Sequence, residues 1–309
     1  MKHITVLTPC YNEEENIEEV YRQTRAIFAA IDTVTYEHLF IDNRSTDRTV
    51  ELLRGLAASD PNVKVILNSR NFGHIRSPYH GLMQASGDAV ITLVADLQDP
   101  PEMIPLFIEK WLAGAKVVVG VKPTAKESAS MFFIRRMYYR LVSKIADIEL
   151  IQNFTGFGLY DRQILDILHK IDDPYPYFRG LISEVGFDIS QIAYIQPRRQ
   201  RGITKNNFYT LYDIAMLGIT SHSRVPLRIA TMAGFMLSGL SLLISVGYLV
   251  MKLLFWNEFS LGTAPLLIGM FFFASVQLFF IGLLGEYVGA ILTSVTRRPL
   301  VIERERINC

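Results

Sequence analysis

Residues 3–16 read HITVLTPCYNEEEN, an apolar stretch that gives way to polar and acidic residues after Pro9. The apolar part predicts a β-strand and the residues after it a helix. Similar strand-and-helix units follow up to about residue 120, and this alternation predicts an α/β fold with a mostly parallel sheet covered by helices on both faces. The predicted strands are His3–Thr8, His38–Ile41, Val63–Leu67, Ala89–Val94 and Val117–Gly120. The predicted helices are Glu14–Ala30, Thr46–Ala58 with Ser45 as its N-cap, Ser77–Ala85 and Pro101–Ala113.

Polar residues follow three of these strands at the point where each strand ends. They are residues 9–13 (PCYNE), 42–47 (DNRSTD) and 96–99 (DLQD). A single acid after a strand is also explained as a helix cap or turn residue, but three groups at one sheet edge favour a ligand site, because open α/β sheets bind ligands there. Asp96 and Gln98 offer oxygen ligands for Mg²⁺ or Mn²⁺, which hold diphosphate oxygens. The sequence has neither a G-x-G-x-x-G motif nor a Walker P-loop, which disfavours a dinucleotide dehydrogenase or an ordinary NTPase.

Composition excludes several classes of protein. The chain has 309 residues, 50% of them hydrophobic, and a net charge of +1. This near-neutral charge disfavours a nucleic-acid binder, so no nucleic-acid partner is expected. Two cysteines cannot form a disulfide-rich scaffold, and the N-terminal sequence predicts no cleaved signal peptide.

Two long uncharged runs lie near the C-terminus. Residues 230–251 contain no charged residue over 22 positions, and residues 261–285 contain none over 25. Each run is long enough to cross a bilayer, and the short connector at Trp256 predicts an antiparallel hairpin. A pair of buried core helices is the alternative.

Basic residues flank both outer ends of this hairpin, at Arg224 and Arg228 and at Arg297 and Arg298. The positive-inside rule therefore places both chain ends in the cytoplasm, as expected for an integral protein of the inner or plasma membrane. The predicted domains are an α/β domain over 1–205, a juxtamembrane amphipathic helix over 206–228, two transmembrane helices within 229–291 (about 229–253 and 261–285) and a cytoplasmic tail over 292–309.

Five motifs carry a resemblance to a known family. TPCYNEEENI, FIDNRSTDRT, NSRNFG, SGDAVITLVADLQDPPE and RGITK begin at residues 8, 40, 68, 86 and 201. In this order they resemble family 2 glycosyltransferases with the GT-A fold. Together with the hairpin they resemble polyprenyl-phosphate glycosyltransferases, the group that includes dolichyl-phosphate mannose synthases and bacterial bactoprenol glucosyltransferases.

The resemblance implies an inverting transfer of a sugar from a nucleotide sugar to polyprenyl (undecaprenyl) phosphate at the cytoplasmic face, for cell-surface glycan synthesis or modification. UDP is favoured over GDP, and glucose is the default sugar, with N-acetylhexosamine, mannose and galactose as alternatives. Membrane lipids and further copies of the chain, as in a tetramer, are the implied partners. By position, the family's roles fall on Pro9, Tyr11, Glu13, Asp42 and Ala95 for the donor nucleotide, on Asp96 and Gln98 for Mg²⁺ or Mn²⁺, and on Lys122, Arg199 and Lys205 for donor or lipid phosphates, with Asp96, Arg199 and Lys205 as the catalytic set.

Several positions depart from the family pattern. The usual paired acids read Asp42-Asn43, the usual Asp-Ala-Asp reads Val94-Ala95-Asp96, and Gly156 stands where most relatives place a proposed general base. The acceptor is a phosphate monoester, which is largely a dianion at neutral pH and so has little need of a base. Two alternatives stay open: transfer to a different acceptor, and a catalytically silent nucleotide-sugar-binding membrane scaffold.

Overall fold

An eight-stranded sheet forms the centre of the N-terminal domain in the computed structural model, which describes residues 1–122, 151, 153–197, 225–255, 263–296 and 298–309. The strand order is β7-β5-β6-β4-β1-β2-β3-β8. Among the described strands, β6 and β8 run antiparallel to their neighbours and the others are parallel. The strands are β1 (Lys2–Cys10), β2 (Val34–Asp42), β3 (Val63–Asn68), β4 (Ala89–Thr92), β5 (Val117–Val121), β6 (Phe154–Asp161), β7 (Ile189–Ala193) and β8 (Glu303–Ile307).

Helices cover the sheet on both faces, and the sheet separates the apolar core into two clusters. Along β1, Ile4 and Val6 join the cluster on one face and Leu7 joins the cluster on the other, so both faces of the strand are buried. This is why the central strands are almost continuously apolar. The helices are α1 (Ile17–Ala29), α2 (Thr49–Ser59), α3 (Gly73–Gln84), α4 (Ile104–Leu112, after a 3₁₀ turn at Pro101–Met103), α5 (Arg162–Ile171), α6 (Phe178–Glu184), α7 (Val225–Leu254) and α8 (Thr263–Thr296).

Two details of the predicted helices are wrong. Ser45 is not an N-cap, because α2 begins at Thr49 and the Ser45 hydroxyl instead bonds the Asp42 carboxylate. Helix α3 begins at Gly73 rather than Ser77 and includes Pro78 in its second turn.

The C-terminal helices carry the apolar runs of the sequence. Among the described residues, Phe272–Thr296 within α8 is long and apolar enough to cross a membrane, and Val225–Ser241 in α7 is a shorter apolar stretch. Large apolar side chains of α8 are exposed, with Leu278 at 68% and Phe279 at 69%. Such a surface needs a covering that the described part of this chain does not supply. The predicted connector at Trp256 and most of the predicted juxtamembrane helix lie outside the described residues.

The chain returns from α8 to the central sheet. Six residues separate Thr296 from β8, which pairs antiparallel with the edge of β3. Glu303 pairs with His80 at 2.6 Å, and Asn308 donates to the carbonyls of Ala57 and Val63 at 2.7 and 3.0 Å. The segment 292–309, predicted as a tail, thus contains the last turn of a helix and a strand of the sheet.

A buried ion pair joins β2 to β3, and a hydrogen bond connects it to β1. Glu37 is 3% exposed and lies 2.5 Å from the Lys64 ammonium. Its other oxygen accepts from the hydroxyls of Thr5 at 2.5 Å and Ser86 at 2.8 Å. Burial alone raises the pKa of Glu37, but these hydrogen bonds and the Lys64 charge outweigh it and lower that pKa to about 2.

We predict that Glu37→Gln lowers the free energy of unfolding at pH 7 by about 2–4 kcal/mol. Because the folded pKa lies below the ordinary value of 4.5, the stabilisation is present above pH 4.5 and is lost as the pH falls toward 2. The deficit of the variant should therefore shrink as the pH drops from 5 to 3. Denaturation of the full chain in detergent at several pH values measures this, with exposed Glu102→Gln as the control. A deficit that stays constant over that pH range would contradict the assignment.

Candidate active site

The carboxyl ends of three parallel strands meet at one edge of the sheet. Cys10 at the end of β1 is opposite Asp42 at the end of β2, and Leu7 is opposite Thr92 at the end of β4. After β3 the chain returns to the other side of β1 to form β4, so the strand order reverses between β1 and β4. Such a switch point opens a crevice at the carboxyl ends of the strands, which is where open α/β sheets bind ligands.

Hydrogen bonds fasten the loop after β1 to the loop after β2. The Asn12 amide donates to the Ser45 hydroxyl at 2.9 Å, and the Asn12 side-chain oxygen accepts from the Thr46 amide at 2.8 Å. The Glu13 amide donates to the Thr49 hydroxyl, also at 2.9 Å. Asn12 has a φ of 56°, a left-handed conformation that asparagine tolerates well. The two loops are therefore joined into a single wall, and Tyr11 in the first loop is half-buried.

Asp42 is the acid at the centre of this wall. It is 1% exposed, and it accepts hydrogen bonds from the amide and the hydroxyl of Ser45, the amide at 3.0 Å. Burial raises the pKa of Asp42, although the Ser45 bonds oppose the shift. A carboxylate held in this way keeps acceptor capacity for a ribose hydroxyl or a base N–H.

Asn43 connects the end of β2 to the loop after β3. Its amide nitrogen donates to the Gly73 carbonyl at 3.1 Å and to Asn71 Oδ1 at 2.8 Å. Its oxygen accepts from the Phe72 amide at 2.8 Å and from Asn68 Nδ2 at 3.2 Å. A backbone carbonyl only accepts and a backbone amide only donates, so this position needs a donor and an acceptor together. The departure from the paired acids of the family thus has a structural reason.

Asp96 lies in a tight turn just after β4. Its Oδ1 accepts the Gln98 amide at 3.1 Å, and Leu97 between them has a φ of 58°. Among the described residues, no three His, Cys, Asp or Glu side chains come together as a metal site. One carboxylate and one amide oxygen nonetheless fit Mg²⁺ or Mn²⁺ when a bound diphosphate and water supply the remaining oxygens.

A second acid of the same motif is buried behind this turn. Asp99 is 4% exposed and accepts a hydrogen bond from the Tyr194 hydroxyl at 2.8 Å. Burial raises the pKa of Asp99 to about 6. Lys122 feels the charges of both Asp96 and Asp99, while its own burial lowers its pKa. Lys122 is therefore a cation under the influence of two carboxylates that follow β4.

Gly156 lies in the first part of β6, beside the end of β4. It has a φ of +104°, and its carbonyl accepts from the Tyr160 hydroxyl at 2.7 Å and from the Thr92 hydroxyl. Asp161 lies at the opposite end of β6, where it caps α5 and contacts Trp111 and Lys116. Asp161 is therefore a structural acid and does not replace the one expected at Gly156.

Most of the predicted site residues share this edge of the sheet. The structure brings Pro9, Tyr11, Glu13, Asp42, Ala95, Asp96, Gln98 and Lys122 to the ends of β1, β2, β4 and β5. Arg199 and Lys205 lie outside the described residues. Sequence reasoning gave no role to Asp99 or Asn43, although both stand inside quoted motifs; the second acid of DLQD was the signal for Asp99.

Comparison with known proteins assigns the family. The model of the family described as Glycosyl transferase family 2 matches residues 5–170, more than half of the chain. The chain belongs to glycosyl transferase family 2. As a family 2 glycosyltransferase it has the predicted GT-A arrangement, a mostly parallel sheet with the polar edge described above, and this prediction of the fold is confirmed.

Curated relatives of this glycosyltransferase match over nearly the whole length. An uncharacterized glycosyltransferase of Bacillus subtilis is 36% identical and covers 97% of this chain and 94% of its own. A prophage-derived bactoprenol glucosyl transferase of Shigella flexneri is 35% identical, with coverages of 97% and 96%. A solved structure, glucosyl-3-phosphoglycerate synthase of Mycobacterium tuberculosis with Mn²⁺, UDP and phosphoglyceric acid, is 19% identical, has a TM-score of 0.49 and covers 71% of this chain and 76% of its own.

Proposed function

We propose that this chain is an inverting, membrane-anchored glycosyltransferase that transfers a hexose from a UDP-sugar to polyprenyl phosphate. The observation that carries the proposal is the switch point between β1 and β4, with its polar loops, in a chain that matches bactoprenol glucosyl transferases over nearly its whole length. Glucose is the sugar proposed, following the names of those relatives. The product is a polyprenyl-phosphate sugar for cell-surface glycans.

The membrane arrangement supports a lipid acceptor. Helix α8 contains the membrane-spanning candidate Phe272–Thr296, and six residues separate the end of that helix from β8 in the catalytic sheet. The crevice and this end of α8 must therefore be on the same side of the membrane. We propose that α7 and α8 cross it as a hairpin, which leaves the sheet, with both chain ends, on the cytoplasmic face.

Each part of the crevice has a role in the proposed reaction. Asp42 and the Tyr11 loop hold the nucleoside through hydrogen bonds and stacking. Asp96 and Gln98 hold Mg²⁺ or Mn²⁺, which when bound neutralises charge on the departing diphosphate. Lys122 adds positive charge at the same place. Arg199 and Lys205 are proposed to bind the donor or lipid phosphates.

The proposed reaction runs without a carboxylate at Gly156. The lipid phosphate dianion attacks the anomeric carbon directly while the bond to the nucleoside diphosphate breaks, so the acceptor has no proton that must be removed. We predict that Gly156→Asp, which restores the acid of the relatives, does not raise turnover. It should instead destabilise the domain by about 1–2 kcal/mol, because L-residues rarely adopt a φ of +104°. Turnover and thermal unfolding of both forms measure this; a faster Gly156→Asp enzyme would contradict the dianion argument.

Nucleotide release with defined acceptors tests the proposal. The full chain, purified into nanodiscs with Mg²⁺ or Mn²⁺, is given UDP-glucose, other UDP-hexoses and GDP-mannose, each with undecaprenyl phosphate, with undecaprenol or with no acceptor. We expect release of UDP that depends on undecaprenyl phosphate. Equal release without acceptor would indicate hydrolysis, and nucleotide binding without any release would indicate a silent binder; either result would overturn the proposal.

A further inference from the structure

Two arginines flank one buried phenylalanine, and a third arginine follows the end of α8. Phe72 is 7% exposed, and the guanidinium carbons of Arg70 and Arg76 lie 4.0 and 5.6 Å from its ring centroid. Arg298 follows the end of α8 and acts electrostatically on Arg76. We call these three arginines and Phe72 the arginine cluster.

The arginine cluster holds positive charge without a compensating acid. Within the described part of the chain, none of its three arginines forms an ion pair with a carboxylate. Arg76 donates to the Pro299 carbonyl, but its Nε is buried and finds no hydrogen-bond partner among the described residues. Burial and the charges of Arg70 and Arg298 lower the pKa of Arg76. A buried donor without a partner is costly unless a ligand satisfies it.

The position of the arginine cluster indicates which anion fits. Helix α3 begins at Gly73, directly after Phe72, so the positive end of a 12-residue helix adds to the arginine charges. Arg298 and Pro299 lie two and three residues beyond the membrane-spanning candidate, at the expected height of lipid headgroups. Arg70 and Phe72 lie in the loop after β3, and Arg76 lies in α3. Because β3 is two strands from β1, the arginine cluster lies to one side of the switch point between β1 and β4.

We propose that Arg70, Arg76 and Arg298 bind the phosphate of an anionic phospholipid headgroup, an accessory site that holds the catalytic sheet against the membrane surface. Arginine is suited to this because its planar guanidinium pairs with phosphate oxygens through two parallel hydrogen bonds. This inference rests on the membrane placement of α8 in the proposed function, but it does not depend on the proposed glycosyl transfer. The site takes a bulk lipid, not the sugar acceptor.

Native mass spectrometry of the full chain tests this without any turnover. The protein in detergent is titrated with phosphatidylglycerol or with phosphatidylcholine, and retained lipid is counted. We expect preferential retention of phosphatidylglycerol, weakened roughly tenfold in Arg70→Gln/Arg76→Gln. Arg298→Gln, at an exposed position that carries little folding risk, should weaken it in the same direction. Arg22→Gln, which removes an exposed arginine paired with Glu19, is the matched control and should change nothing.

Three results would overturn the lipid site: equal retention of both lipids, equal retention by the wild type and by both sets of cluster variants, or displacement and equal thermal stabilisation by inorganic phosphate alone. The last would assign the site to a soluble phosphate. Because lipid retention is read without donor or acceptor, an enzyme that makes no glycolipid can still retain phosphatidylglycerol, and the two proposals fail separately.

Discussion

Asp96→Asn should lower turnover by about 10²–10³-fold while leaving the fold intact. Asp96 also has a structural role. Its Oδ1 accepts a hydrogen bond from the Gln98 amide at 3.1 Å and stabilises the turn at Leu97. An asparagine oxygen can accept the same bond, so the turn persists. What is lost is the negative charge, and with it the one carboxylate proposed to hold the metal on the donor diphosphate.

The measurement is UDP release by the full chain in nanodiscs over a range of Mg²⁺ or Mn²⁺ concentrations. The variant should need more metal and reach a lower maximum rate, with an unchanged unfolding temperature. Asp166→Asn is the matched control, because Asp166 is an exposed acid on α5, away from the crevice. An Asp96→Asn enzyme with normal turnover and normal metal dependence would remove Asp96 from the site.

Asn43→Asp should destabilise the protein and impair donor binding, although it introduces the second acid that the family resemblance implies. An ionised aspartate cannot donate to the Gly73 carbonyl or to Asn71, which lie 3.1 and 2.8 Å from the present amide nitrogen. It would instead place a buried negative charge against two acceptor oxygens. We expect a loss of about 2–4 kcal/mol in the free energy of unfolding at pH 7.

The substitution should also shift the loop after β3, because the Asn43 side chain binds the Phe72 amide and Asn68. A higher KM for the UDP-sugar is the expected kinetic sign. Denaturation in detergent and steady-state kinetics measure both effects, and Asn62→Asp, at an exposed position, is the control. A variant as stable as the wild type, or a faster one, would show that Asn43 merely replaces a family acid.

The first 120 residues were predictable because their strands are buried on both faces. A strand such as β1 is apolar along nearly its whole length, and polar residues begin where it ends. The α/β fold and the polar edge follow from this pattern alone. Ser45 shows the limit of local rules: a serine before a helical stretch suggests an N-cap, but the nearby carboxylate of Asp42 binds its hydroxyl instead.

β8 could not be predicted from its pattern. Its sequence is ERERI, which alternates in charge and resembles a solvated tail. The strand lies at the sheet edge, and its charges find partners far away in the sequence, with Glu305 at 2.5 Å from Arg54 and Glu303 at 2.6 Å from His80. Charged edge strands also protect a sheet against pairing with other chains. Long-range pairing of this kind leaves no local periodicity.

Part of the candidate site was predictable from the sequence and part was not. The strand-end acids were predictable from topology, since parallel strands bring their carboxyl ends to one edge. The role of Asn43 was not, because its partners belong to a loop 25 to 30 residues later in the chain. Asp99 stood in a recognised motif, but its burial beneath Tyr194 depends on β7, a strand that was not predicted.

The mass of the lipid product tests the central claim most directly. The full chain in nanodiscs is incubated with UDP-glucose, undecaprenyl phosphate and a divalent cation, and the lipid fraction is analysed by mass spectrometry beside the Asp96→Asn variant. The account predicts undecaprenyl phosphate heavier by one hexose residue, formed together with UDP and nearly absent for the variant. Unmodified undecaprenyl phosphate with every UDP- and GDP-sugar, in a protein that still binds the nucleotide, would contradict it.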